Sequence, residues 1–143
     1  MFPLTRMRRL RASEGLRRLA QETRLDRHDL ILPLFVVSGK GRRESVPSLP
    51  NVKRVSVDQL GSIARALGSV AVLVFGVPDE SQKDERGTAA LEEDGLVAAA
   101  VRQLKKQKLE LVVITDVCLC SYTSHGHCGV LTSSGDVDDG EDA

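Results

Sequence analysis

Between Asp116 and Gly129 the chain reads DVCLCSYTSHGHCG. This stretch holds all three cysteines, Cys118, Cys120 and Cys128, and two of the three histidines, His125 and His127. Thiolate and imidazole are the donors that bind zinc and copper. Cys118 and Cys120 are two residues apart. If a strand continues through them, both sulfurs leave the same face. The segment SYTSHGH gives a loop, with Gly126 as a hinge, that can return Cys128 to the pair. Three thiolates with a fourth position open is the plan of a catalytic zinc site, whereas structural sites close with four ligands. His127 or His125 could supply that fourth ligand, and spacing alone leaves both arrangements open. Zinc leads because thiolate suits it and it needs no redox partner; copper(I) and an iron–sulfur cluster follow. A C-x-C redox pair is a third chemistry, although C-x-x-C is the commoner redox spacing. Inert buried cysteine explains one such residue better than three within eleven positions.

Asp116, just before the cluster, is a candidate site residue; the plainer role for it is a strand-end carboxylate that caps the next turn. Tyr122, Ser124 and His125 could each touch a ligand, or serve the loop's own hydrogen bonds.

The elements around the cluster must deliver it. Leu30 to Val37, LILPLFVV, is a continuous apolar run that predicts a strand buried on both faces, with Pro33 an irregularity in it. Residues 38–55 contain Gly39, Gly41, Pro47 and Pro50 and read as loop. The pattern of SVDQLGSIARALG predicts a helix that begins with a Ser56–Gln59 capping box. Leu60, Ile63, Ala64 and Leu67 line one face of it, and Gly68 ends it. Val70 to Phe75 is a second strand, residues 79–94 a charged surface loop. Residues 95–106 form a second helix, with Leu96, Val97, Ala100, Val101 and Leu104 inward. Leu111 to Val117 is a third strand that runs into the cysteines. The order β, α, β, α, β predicts an α/β fold with parallel strands. In such folds sites lie at the C-terminal ends of the strands, which is where the cysteines fall.

The chain has 143 residues, 41% of them hydrophobic and 28% charged, which fits one globular domain. Its net charge is zero, so there is no global attraction to nucleic acid or membrane. Charge is uneven: the first 27 residues carry eight arginines against three acids, and no Lys or Arg follows Lys108. Residues 1–27 read as a basic arm with a short helix striped by Leu16, Leu19 and Ala20. With no aromatic after Phe2 to stack a base, the arm better suits a partner subunit or solvent than nucleic acid. Residues 28–135 form the domain, and 136–143 an acidic tail expected to be disordered. No apolar run is long enough for a membrane span, and no secretory leader is visible. The expected place is the cytoplasm, where thiols stay reduced and a cysteine cluster more often binds metal than forms a disulfide.

DVCLC followed by YTSHGHCG resembles the zinc loop of the porphobilinogen synthase (5-aminolevulinate dehydratase) family. LILPLFV resembles that family's first barrel strand, PSLPNV its following proline turn, and VFGVP…KDERG its second strand and loop. The likeness spans most of residues 8–135. Some family members replace the cysteines with Asp or Ala; Cys118, Cys120 and Cys128 make this chain similar to the zinc-dependent type. The resemblance implies a (β/α)8 TIM barrel, an N-terminal arm wrapped on a neighbouring subunit, and a homo-octamer. It also implies a lyase that condenses two 5-aminolevulinate molecules to porphobilinogen with loss of two waters, in haem and other tetrapyrrole synthesis. Two lysines would form Schiff bases with the substrates, and zinc would orient the second of them.

A (β/α)8 barrel takes about 250 residues, and this chain supplies about three βα units. The family's Schiff-base lysines lie on later strands, whereas the last lysine here is Lys108. Ser121 stands where the family often has Pro, and the final residues leave the family pattern. The expectation is therefore the N-terminal portion of such an enzyme, inactive and aggregation-prone by itself. The alternatives are a small non-catalytic zinc-binding module and a thiol redox module.

Overall fold

In the computed structural model of the chain, residue 4, residues 7–67, residues 71–138 and residue 140 are described, Leu67 by its backbone alone. A five-stranded mixed sheet organises the fold, in the order β2-β3-β1-β4-β5. The strands are β1 (Ile31–Val37), β2 (Arg43–Ser45), β3 (Lys53–Ser56), β4 (Ala71–Val77) and β5 (Val112–Thr115). The helices are α1 (Glu14–Leu19), α2 (Leu60–Leu67) and α3 (Leu96–Lys105).

The three expected strands are β1, β4 and β5, and they pair parallel as neighbours, Leu34 beside Val74 and Leu73 beside Ile114. Pro33 fits because β3 pairs only with Phe35 to Val37. At Pro33 one side of β1 has no ladder, so the missing N–H interrupts nothing there. The expected start at Val70 lies outside the described residues.

Residues 38–55 are not all loop. They contain β2 and most of β3, which pair antiparallel with each other, while β3 runs parallel to β1. Both strands are short and carry charge, RES and KRVS, so no apolar run announced them. Ser56 is not a capping box with Gln59. A 3-10 turn, Val57–Gln59, precedes α2, and the Ser56 side chain makes no cap bond. Instead its Oγ accepts the Arg42 N–H at 2.9 Å and donates to Asp58 Oδ1 at 2.6 Å, tying the β1–β2 loop to the helix start. The expected helix stop at Gly68 lies outside the described residues.

One face of the sheet carries the core. Leu34, Val36, Val55, Val72 and Val74 pack against Leu60 and Ala64 of α2 and Ala100 and Leu104 of α3. Ile63, Leu96 and Val97 complete the two inward helix faces. On the other face Phe35 stacks on Phe75, with ring centroids 5.1 Å apart. The sheet is open and does not close into a barrel.

The N-terminal arm begins α1 with Ser13, whose side chain accepts the Leu16 N–H. Leu16 and Leu19 are both exposed, so the described residues leave the arm's apolar stripe uncovered. Arg6 and Phe2 lie outside the described residues. At the other end Leu131 bridges antiparallel to Val137; Asp139 and residues 141–143 of the acidic tail lie outside the described residues.

Candidate metal centre

β5 ends at Thr115, so alternation along a strand does not align Cys118 and Cys120. Asp116 makes one more ladder bond, its N–H donating to the Val74 carbonyl at 3.1 Å. The chain then leaves the sheet and turns on Leu119, whose carbonyl accepts the N–H groups of Tyr122 at 2.8 Å and Thr123 at 3.0 Å. Cys118 and Cys120 flank the residue at the start of this turn. Cys128 returns to them, and the three Sγ atoms lie within 4.8 Å of one another. The Cys118 and Cys128 sulfurs are 3.4 Å apart, and Leu119 N–H donates to Cys128 Sγ at 3.0 Å.

These distances suit a single metal ion. At a Zn–S length of about 2.3 Å, two ligands of a tetrahedral zinc sit roughly 3.8 Å apart. The observed sulfurs bracket that separation. All three cysteines are free thiols, and Cys128 is the most exposed of them. The thiols are electrostatically unlike. The Leu119 N–H, reinforced by Cys118, pulls the Cys128 thiol below its ordinary range. Cys120, bonded as a thiol to Cys118 and Cys128 and partly desolvated, is pushed up to about 11.

The histidines take other work. The His127 backbone N–H donates to His125 Nδ1 at 3.2 Å, and His125 Nε2 lies 3.0 Å from the Glu85 carbonyl. A carbonyl can only accept, so Nε2 carries the proton and Nδ1 is the acceptor. Both ring nitrogens of His125 are thereby committed to the loop. The His127 ring stacks on it at 5.8 Å. The three-sulfur cluster includes neither histidine.

The charged 79–94 segment, expected as surface loop, is the floor on which the cysteine loop rests. Asp84 bridges parallel to Thr123, and its carbonyl accepts the Ser124 N–H at 2.9 Å. The Asp84 carboxylate turns the chain by accepting the N–H groups of Arg86 and Thr88, and these bonds, that of the Thr88 hydroxyl first, hold it below the usual carboxylate range. Gly87 is left-handed, with φ 64°. Sequence reasoning passed over Asp84, Gly87 and Thr123; a D-x-x-G turn in KDERGT was the signal available.

Tyr122 is buried against Gly76 of β4. Burial and the charge of Asp116 push its phenol up. Asp116 itself is exposed at the sheet's C-terminal rim, and Ser124 is exposed on the loop.

Together these features define an α/β protein whose parallel strands present, at their C-terminal ends, a three-thiol cluster suited to a metal ion. The family model described as delta-aminolevulinic acid dehydratase matches residues 4–142. The chain belongs to that family. It is 47% identical over 141 residues to the delta-aminolevulinic acid dehydratase of Methanothermus sociabilis, covering 96% of this chain and 43% of that protein. The Bacillus subtilis enzyme is 46% identical over 129 residues, 88% of this chain and 39% of its own length. Among solved structures, the chain is similar to the delta-aminolevulinic acid dehydratase (porphobilinogen synthase) of Toxoplasma gondii in complex with the reaction product porphobilinogen. There the TM-score is 0.83 at 31% identity, over 96% of this chain and 40% of that one. The chain thus spans about two fifths of the length of each of these three relatives.

Proposed function

We propose that these residues are the zinc-binding, N-terminal part of a porphobilinogen synthase, a lyase that condenses two 5-aminolevulinate molecules to porphobilinogen. The observation that carries this reading is the convergence of three thiol sulfurs within 4.8 Å in a chain of this family. Cys118, Cys120 and Cys128 would hold zinc as thiolates and leave one position for a substrate amine or carbonyl. With three thiolates the centre has a net charge near −1, so zinc there supplies orientation more than strong Lewis acidity. Asp116, at the same rim, is the candidate polar group beside it.

In this reading the five-stranded sheet is part of a (β/α)8 barrel, the exposed Leu16 and Leu19 of the arm rest on another subunit of a homo-octamer, and the enzyme works in the cytoplasm. No described helix is long and apolar enough to cross a membrane. The last lysine of these residues is Lys108; with the family's Schiff-base lysines on later strands, our reading is that the 143 residues by themselves leave 5-aminolevulinate unreacted.

A thiol redox module is the second reading, favoured by the 3.4 Å contact of Cys118 and Cys128. One preparation separates the two. The expected result is about one zinc per chain, lost in Cys118→Ala, with no turnover of 5-aminolevulinate by the polypeptide. No bound metal together with reversible thiol oxidation would favour the redox module instead. Porphobilinogen formation by the polypeptide would overturn its proposed inactivity.

A further inference from the structure

We propose that Thr123 is a positioning residue of the three-thiol centre, its hydroxyl setting the distance between the arm that carries Cys128 and the turn that carries Cys120. The inference rests on reading the cluster as a metal centre. Seven residues separate Cys120 from Cys128, and one of them, Gly126, is left-handed at φ 79°. A loop of that kind holds its ends together only if something fixes them, because closing it costs chain entropy. Ser124, Gly126, His127 and Cys128 are exposed, but Thr123 is 2% exposed.

Its two branches do different things. The methyl lies over Gly87, where even an added Cβ would come within 3.4 Å of it. The hydroxyl Oγ1 points into the loop, donating to the His127 carbonyl at 2.9 Å, with a weaker limb to the Cys120 carbonyl at 3.5 Å. Those carbonyls belong to a thiol residue itself and to the residue just before another. One buried hydroxyl thus links both arms, screened from competing water. The backbone of Thr123 is already fixed by the Leu119 carbonyl and by the Asp84 bridge, so the hydroxyl is anchored to the sheet side of the molecule. His125 adds a second anchor to Glu85, but it joins the loop to its floor and does not join the two thiol arms to each other.

Thr123→Val keeps the shape and the methyl and removes only the hydroxyl; Thr123→Ser keeps the hydroxyl. Zinc affinity is measured on the full chain by competition with a chromophoric chelator, with thermal unfolding alongside. The expected result is a ten- to hundredfold weaker zinc site in Thr123→Val, the range that outer groups of metal sites show, with Thr123→Ser close to wild type. Equal zinc affinity in wild type and Thr123→Val, whatever the change in Tm, would overturn the assignment, because Thr123 would then serve folding alone. Where Thr123→Val does not fold, Thr123→Ser decides: near-wild-type affinity supports the role of the hydroxyl, and a tenfold loss overturns it. If the wild-type chain takes up no zinc, the metal reading fails. The metal-free cluster then tests Thr123 by the glutathione redox buffer at which Cys118 and Cys128 form a disulfide. There two thiols lose two protons and two electrons to one oxidised glutathione, giving two reduced glutathiones. A tenfold lower effective concentration of the pair in Thr123→Val supports the proposal, and an unchanged value overturns it.

Discussion

The Leu119 N–H that reaches Cys128 Sγ makes three chemically identical thiols unequal. A donor to sulfur favours the thiolate, whereas Cys120 bonds to its neighbours as a thiol and keeps its proton. The sign of the pH dependence follows from the directions of these shifts. Cys128, held below the ordinary thiol range, ionises first as pH rises; Cys120, pushed up to about 11, ionises last. In the metal-free chain, alkylation by iodoacetamide followed by mass spectrometry should modify Cys128 at the lowest pH and Cys120 only in strongly alkaline solution. Reversed order, or one common midpoint, would show that the Leu119 contact does not govern the cluster. At this scale the sequence was informative about donors and silent about their support. Three cysteines within eleven positions have few purposes other than convergence, so the cluster was legible. His125 was ambiguous until its two ring nitrogens were found bonded within the loop. Thr123 was invisible, because a hydroxyl acquires its role only from the carbonyls that the fold brings to it.

Gly76 shows how an element places a loop. It lies near the C-terminal end of β4, and a Cβ there would meet Tyr122 Oη at 1.8 Å and Val97 Cγ2 at 3.0 Å. The tyrosine ring can approach the strand only because the residue beneath it has no side chain, and Tyr122 is part of the turn that carries Cys120. Gly76→Ala should therefore cost about 1–3 kcal/mol of stability by overpacking and push the cysteine turn away from the sheet. Tyr122→Phe in the same background should restore part of the loss, because it removes the atom in the closest contact. A double-mutant cycle on denaturant midpoints measures the coupling; strictly additive effects would deny the contact. The burial on both faces expected of LILPLFVV is not met: Ile31 and Leu32 are exposed, and the helices cover only the side of Leu34 and Val36. As strands, the long apolar elements were legible from pattern alone. β2 and β3 were not. They have three and four residues with Arg43, Glu44, Lys53 and Arg54 among them, and their pairing is set by β1 and by the Ser56–Arg42 bond, not by any periodicity. The turn at Leu119 was missed for a related reason: the apolar run predicts a strand to Val117, at the edge of the cysteines, but the ladder ends one bond past Thr115.

Across the whole molecule the sheet has two unlike edges and two unlike faces. β2, short and charged, is a protected edge. β5 is an apolar one, VVIT, with Val112 61% exposed. One face is covered by α2 and α3; the other presents the Phe35–Phe75 stack and, further along β1 on the same side, Ile31, which is 53% exposed. An apolar edge next to an apolar face is a template for pairing with another chain. In the 143-residue polypeptide this should appear as concentration-dependent association and binding of a hydrophobic dye, with weak hydrogen-exchange protection in β5. Val112→Lys places a charge on that edge without touching the covered core, so it should raise the concentration at which association sets in. The rival outcome is a monomer that unfolds cooperatively, binds no dye and protects β1, β4 and β5 alike. That result would mean that the helix-covered face alone supports the fold and that the open face is tolerated in water. Association that Val112→Lys leaves unchanged would instead shift the cause from the β5 edge to the aromatic face, where Phe35 and Phe75 are the residues to change next.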